Sequence, residues 1–242
     1  MPRERLDKML TGRGAGSRRT AAAKIRAGEV QVNGIVCRDP AQKVDPEADV
    51  VCLSGQPLRM RRERYLMMNK PAGVITATED AAQQTVLDLL PADLRRGLSP
   101  VGRLDKDTEG LLLLTDDGAL CHALTAPRRH VDKRYRAQIA GTLASDAAAR
   151  FAAGLTLGDG TVCRPAELTI LGRTEDGCVA EVVLREGKYH QVKRMVAAAG
   201  GRVVHLKRLS MGPLTLDDAL PAGGFRELTE QELALLRDAA QP

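Results

Sequence analysis

The densest group of reactive side chains lies in Val101-Gly-Arg-Leu-Asp-Lys-Asp-Thr-Glu-Gly-Leu-Leu-Leu-Leu-Thr115. Here Asp105 stands in a glycine-bounded loop that runs into an apolar strand. An ionised carboxylate in such a place can act as a nucleophile or as a base. It can also ligate calcium, because Asp105-x-Asp107-x-Glu109-Gly110 copies the start of an EF-hand loop. The rest of the segment argues against calcium. The twelfth position is Asp116 rather than a bidentate Glu, the intervening Leu-Leu-Leu-Leu-Thr reads as a strand, and no amphipathic helix precedes Asp105. Asp107 and Glu109 are expected to be solvated or bonded to loop amides, and Asp116-Asp117-Gly118 reads as a turn.

Other chemistries find less support. The five cysteines, Cys37, Cys52, Cys121, Cys163 and Cys178, include no C-x-x-C pair, and their number is odd. A disulfide framework or zinc knuckle is not expected, and the thiols read as buried small hydrophobes. The four histidines form no ligand pair, so no metal is expected. Three Tyr, two Phe and no Trp leave too few rings for a platform of several stacked aromatics.

The elements that must hold Asp105 follow from the hydrophobic pattern. Hydrophobic residues make up 43% and charged residues 28% of 242, which is the composition of a folded chain. In the first quarter, Leu6, Met9 and Leu10 share a helical face that Gly12-Arg13-Gly14 breaks. Ser17 caps a second helix running to about Ala27, with Arg19 and Arg26 on one face. Glu29-Val-Gln-Val-Asn-Gly-Ile-Val36 predicts a hairpin turning at Asn33-Gly34, and strands near Val44 and Val50 complete a small sheet. The polar, basic stretch 54–64 reads as a linker.

Beyond it, strands are expected at 65–68, 111–115, 133–141, 166–171 and 178–185. Helices are expected at 84–90, up to Leu124, from a Ser145 cap to Gly154, and from Gln191 to Ala199. Thr229 and Glu232 form a capping box for a last helix. Few of these strands are separated by regular helices, so the sheet should be mixed and largely antiparallel within an α+β fold.

Charge points to a partner. Residues 1–64 hold 14 Lys/Arg against 8 Asp/Glu, whereas the remaining residues hold 22 against 23. Two further basic clusters span Val183–Ser210 and Arg128–Arg136. Such clusters suit a polyanion, because neutralising phosphates releases counterions. No run of about 18 apolar residues appears, so a spanning helix is not expected. The N-terminus lacks the apolar core of a secretory signal, so a cytoplasmic protein is expected.

Arg5-Leu6-Asp7, Ser17-Arg18-Arg19, Gly28-Glu-Val-Gln-Val-Asn-Gly34, Pro40 and Val44 together resemble the S4 RNA-binding domain, covering residues 3–51. Glu47-Ala48-Asp49 departs from that family's usual Gly-Asp turn. The resemblance implies that the basic helix faces RNA backbone through Arg18, Arg19 and Arg26.

Gly102-Arg103-Leu104-Asp105, with Thr108 and Gly110-Leu-Leu-Leu-Leu-Thr115, resembles the signature of pseudouridine synthases. Asn69-Lys70-Pro71-x-Gly73, Lys133-Arg134-Tyr135 and Glu186-Gly-Lys-Tyr-His-Gln-Val-Lys-Arg-Met195 resemble that family's other motifs, in order. With the S4 module in front, nearly the whole chain resembles the synthases that act on 16S ribosomal RNA. That implies an S4 domain at 1–60 and a catalytic domain at 61–242. It also implies an isomerase needing no cofactor, whose partner is 16S ribosomal RNA, in small-subunit assembly intermediates, and which works as a monomer.

By the same resemblance Asp105 is the essential carboxylate, Tyr135 stacks on the target base, and Lys193 supplies the cation beside Asp105. Arg194 is a second candidate for that cation and an RNA contact. Arg103, two residues before Asp105, points the same way on an extended loop and reads as an RNA or base-flipping contact. Lys70 reads as structural or as a phosphate contact, and His190 and Gln191 as supporting residues. Two other readings remain open: the same enzyme class aimed at 23S ribosomal RNA, and a non-catalytic S4-type RNA-binding factor.

Removing residues 1–60 should weaken RNA affinity and flatten its log–log salt dependence, which falls by roughly 0.7 per phosphate contact on single strands. The single-turnover rate at saturating RNA should survive. A salt titration of binding beside single-turnover kinetics checks both, and an unchanged slope would remove the N-terminal basic face from RNA binding.

Overall fold

The computed structural model describes residues 3–46, 48–58, 63–126 and 131–240. The chain forms two compact units, Met1–Arg62 and Glu63–Pro242. Among the described residues no helix is long and apolar enough to cross a membrane.

The first unit comprises β1 (Glu4–Arg5), α1 (Leu6–Gly12), α2 (Arg18–Ala27), β2 (Val30–Val32), β3 (Ile35–Cys37), β4 (Lys43–Val44), β5 (Val51–Leu53) and β6 (Gln56–Pro57). Leu6, Met9 and Leu10 of α1 pack with Ala21 and Ile25 of α2. Ser17 Oγ accepts from Thr20 N at the start of α2. Asn33 and Gly34 both have positive φ, 52° and 80°, which a two-residue hairpin turn requires. The strand near Val44 does not join the hairpin sheet but pairs with β1. Ser54-Gly55 is the turn between β5 and β6, so the first unit extends into the expected linker. Of that stretch, 59–62 lie outside the described residues, as do Glu47 and 127–130.

The second unit comprises β7 (Tyr65–Lys70), a 3-10 turn (Val86–Leu89), α3 (Ala92–Arg95), β8 (Ser99–Pro100), β9 (Glu109–Thr115), α4 (Gly118–Thr125), β10 (Lys133–Ala140), α5 (Ala147–Ala153), β11 (Glu167–Thr174), β12 (Gly177–Leu184), α6 (Gln191–Ala198), β13 (Arg202–Met211), β14 (Leu214–Thr215), β15 (Phe225–Glu227) and α7 (Glu230–Ala239). The sheet runs β11-β12-β10-β13-β9-β7-β15. Its one parallel junction is β13 with β9, and the other pairs are antiparallel. The expected mixed, largely antiparallel sheet is borne out.

The sheet centre is buried on both faces, which explains why β9 is a continuous apolar run rather than an alternating one. Leu112 and Leu114 join Leu66, Met68, Phe151, Met195 and Val196 on one side. Leu111 and Leu113 join Met67, Leu120, Leu124 and Leu236 on the other. Burying each of these leucines contributes about 1.5–3 kcal/mol relative to exposure.

Several local readings are corrected. The expected helix at 84–90 is a 3-10 turn capped by Thr85. The N-cap of α5 is Asp146 rather than Ser145, with no side-chain hydrogen bond. Asp116-Asp117-Gly118 is more than a turn, because Asp117 accepts from Ala119 N and Leu120 N as the cap of α4. The largest omission is β13, whose Lys207-Arg208 interrupts an alternating pattern and reads as part of a basic surface. In the structure Arg208 is buried, and its Nε donates to Leu111 O at 2.7 Å.

At the parallel junction Gly110 lies opposite Arg208, and Arg208 lies opposite Tyr135. Gly110 has φ +101°, and a Cβ there would stand 2.2 Å from Arg208 O and 2.8 Å from Arg208 N. Both obstacles are backbone, so the strands would have to separate. Gly110→Ala should therefore destabilise the protein by roughly 3 kcal/mol or more. Gly160→Ala, at φ +81° in open space, should cost only about 1 kcal/mol. Urea unfolding of the two variants checks the difference.

Candidate active site

A small, partly open cleft of about 80 Å³ lies beside the parallel junction. Its apolar floor is Leu104, Tyr135, Leu184, Val192 and Leu206, and its polar wall is Arg103, Asp105, Thr108, Lys188, His190, Gln191 and Lys193. Its lining combines an apolar floor with convergent polar and charged groups, the character of a ligand site.

The loop carrying Asp105 is clamped from the N-terminal motif of the second unit. Lys70, fully buried at the end of β7, donates through Nζ to Pro71 O and Thr108 O at 2.9 Å and to Lys106 O at 3.3 Å. Gly73 N donates to Lys106 O at 2.8 Å. Thr76 Oγ1 donates to Leu104 O and accepts from Leu104 N. Burial pushes the Lys70 ammonium down to about 8. The assignment of Lys70 as an RNA contact is therefore corrected: no part of its side chain reaches the surface, and it serves as the loop's internal anchor.

The wall opposite is set by the turn before α6. Gln191 Nε2 donates to Glu186 Oε1 at 2.6 Å, and Lys188 N donates to Gln191 Oε1 at 3.0 Å. Glu186 also accepts from Arg164 N, so the lone acid of the basic segment shapes the turn. His190 then adopts a left-handed backbone, φ 48° and ψ 37°, and α6 starts at Gln191.

Lys193, on the first turn of α6, meets Asp105. Its Nζ lies 3.1 Å from Asp105 Oδ2 and also bonds Asp107 Oδ1. One ammonium thus serves the two carboxylates that mimic an EF-hand start, and it occupies the place a cation would take between them. Burial lowers the Lys193 pKa, but hydrogen bonds to Asp107 and Asp105 outweigh it and the net direction is up. Asp107 is held below the ordinary carboxylate range, chiefly by its hydrogen bond to Lys193. Asp105 keeps 28% of its side chain exposed, so the carboxylate remains open to the cleft.

Arg194 does not share this role. It turns away to Asp159 Oδ1 at 2.5 Å, with weaker contacts to Tyr189 O and Thr161 Oγ1. Adjacent positions on a helix are about 100° apart, so only one of the pair can face Asp105. Tyr135 is 8% exposed and lines the cleft from β10. Arg103 is exposed at the rim, with no side-chain partner among the described residues.

His190 Nε2 lies 3.6 Å from Asp105 Oδ1, a neighbour that sequence alone did not supply. Asp107, expected to be solvated or bonded to loop amides, is 72% exposed and also pairs with Lys193. Its two-residue spacing from Asp105 was the available signal.

In the first unit Arg19 and Arg26 are exposed on α2 without side-chain partners among the described residues. Arg18 is shared with Asp7, 3.2 Å away, which also holds Arg5. Of the cluster Arg128–Arg136, residues 128–130 lie outside the described residues, and Arg134 and Arg136 both pair with Glu181.

The Lys193 contacts carry a pH signature. Asp107's folded pKa is depressed from 3.8, so its pairing stabilises the protein above that pH and is lost as pH falls through the folded value. Lys193→Ala should raise the Asp107 pKa towards the ordinary value. The stability difference between wild type and variant should shrink on acidification below about pH 4. Carboxyl carbon-13 titration and urea unfolding at several pH values check this.

Residues 64–198 match the RNA pseudouridylate synthase family, and residues 4–50 match the S4 domain. The chain is 46% identical over 235 residues to an uncharacterized RNA pseudouridine synthase, YtzG, of Bacillus subtilis, covering 97% of this chain and 98% of that protein. It is 41% identical over 232 residues to the ribosomal small subunit pseudouridine synthase A of Escherichia coli K12, covering 95% and 98%. A crystal structure of a pseudouridylate synthase superposes with a TM-score of 0.68 at 35% identity, covering 96% of this chain and 99% of that one.

Proposed function

This chain belongs to the RNA pseudouridylate synthase family, and from that premise we propose that it isomerises one uridine of 16S ribosomal RNA, with Asp105 as the reacting carboxylate. The relatives named for the small ribosomal subunit support this target over 23S ribosomal RNA. The observation that carries the site is the Asp105–Lys193 pair, 3.1 Å apart, at the wall of a cleft floored by Tyr135.

The reaction breaks the bond between uracil N1 and the ribose, turns the base and joins C5 to the sugar. N1 gains a proton and C5 loses one, so the step is balanced without an oxidant or group donor. Asp105, open to the cleft, acts on the nucleoside at the broken linkage. Lys193 balances its charge and fixes its orientation, an electrostatic arrangement made before substrate arrives. Tyr135 offers a ring face to the flipped base, and its phenol a polar tip for proton transfer. Arg103, unpartnered at the rim, receives RNA backbone or helps extrude the nucleotide. Arg194 is tied to Asp159 and takes no part in the chemistry.

The two units divide the work. The S4 unit supplies affinity through Arg19 and Arg26, with Arg18 partly committed to Asp7. The second unit, from Glu63, carries the chemistry. The enzyme works in the cytoplasm as a monomer on small-subunit assembly intermediates.

Asp105→Asn and Asp105→Ala should cut pseudouridine formation by roughly 10³-fold or more while RNA binding persists. Release of tritium from C5-labelled uridine in unmodified 16S transcripts, beside filter binding, checks both. An active Asp105→Ala protein would end the assignment. Carbodiimide mapping by reverse transcription in a strain lacking the gene identifies the uridine, and a missing site in 23S ribosomal RNA would redirect the target.

A further inference from the structure

Tyr189 is the one aromatic ring in the second unit that faces solvent and that the chemistry above leaves unused. Tyr65, Tyr135 and Phe151 are buried and Phe225 is half-buried, whereas Tyr189 is 74% exposed. Exposure alone says little, since single apolar side chains are common on surfaces. Three further observations give this ring a direction.

The first is order. The Tyr189 ring stacks on His190, with centroids 3.8 Å apart and planes 19° from parallel. One face is covered and the other is open to solvent. The second is backbone. His190 takes a left-handed conformation that non-glycine residues adopt at a cost, and Arg194 donates to Tyr189 O. The stack is thus held by its own turn rather than by burial. The third is place. Lys188 and His190, the residues on either side, line the cleft, and His190 stands 3.6 Å from Asp105.

Extruding a uridine from its stack leaves the adjoining base without a neighbour. An ordered aromatic face replaces that neighbour whatever the base, because every base has a π-face. Arg103, exposed at the rim without a side-chain partner among the described residues, suits a neighbouring phosphate, whereas the Lys188 ammonium is held by Val162 O and Glu186.

We infer that the open face of Tyr189 is a stacking platform for the base of the nucleotide adjoining the target uridine. The inference rests on the pseudouridine synthase reading of the cleft. The competing explanation is that Tyr189 merely buttresses His190.

The chain contains no tryptophan, so Tyr189→Trp introduces a single reporter. Titrating it with unmodified, in vitro transcribed 16S ribosomal RNA should quench its emission saturably. Tyr189→Ala should weaken RNA affinity roughly tenfold, with an unchanged melting temperature and an unchanged single-turnover rate at saturating RNA. Tyr189→Phe should bind as wild type does. In a short RNA carrying 2-aminopurine beside the modified uridine, binding should quench that base with wild type and less with Tyr189→Ala.

No tryptophan quenching, or Tyr189→Ala with intact affinity, overturns the inference. Unchanged affinity with a shifted pH–rate profile would assign the ring to buttressing His190. Wild-type protein that forms no pseudouridine in 16S or 23S ribosomal RNA would instead fail the functional reading. An active wild type without quenching fails this inference alone.

Discussion

The structure hinges on one close approach, that of the Gly110 backbone to the Arg208 backbone where β9 and β13 run parallel. β9 follows directly from the loop that carries Asp105. β13 pairs on its other side with β10, which carries Tyr135. The contact therefore sets the distance between the carboxylate loop and the ring that floors the cleft. A side chain at 110 would wedge the strands apart, and an unburied Arg208 would leave Leu111 O without the donor that reaches it across the junction. Apolar packing on both sheet faces holds the junction shut, and no single polar bond need be strong.

The electrostatics of the site divide between a buried cation that builds and a half-open cation that works. Lys70 spends its three donors on loop carbonyls, and burial brings its ammonium down to about 8. Lys193, one-quarter exposed, faces two carboxylates and is biased towards its charged form. Both are lysines within basic or mixed motifs, and composition alone cannot separate them. Desolvation does: it pulls the pKa of the buried cation down, while two carboxylates hold the other's up.

RNA handling follows a similar division. The net positive charge of the chain resides in residues 1–64, and the rest is close to neutral. Within the second unit many basic side chains are already committed, Arg194 to Asp159, Arg134 and Arg136 to Glu181, and Arg185 to Asp132. On the proposed reading, long-range attraction belongs to the first unit, and short-range fit, through Arg103, Tyr135 and the Tyr189–His190 stack, to the second.

Sequence alone determined the features that rest on local rules or on contiguous motifs. The Asn33-Gly34 hairpin, the Ser17 cap, the Thr229–Glu232 capping box and the buried Leu run of β9 each need only their neighbours, so they were legible. The α+β class and the family resemblance were legible because the motifs keep their order. What only the tertiary structure decided involved residues far apart in the chain. Strand β13 was hidden because Arg208 reads as a surface charge until Leu111, 97 residues away, is seen to accept its hydrogen bond. Lys70 read as structural or as a phosphate contact, and the carbonyls of Lys106 and Thr108 that its ammonium meets decide for the structural role. Lys193 was the expected partner of Asp105 with Arg194 as the alternative, and the rotation of α6 turns only Lys193 towards the carboxylate. A charged side chain is defined by what desolvates or neutralises it, and in a folded chain that partner is seldom its neighbour in sequence.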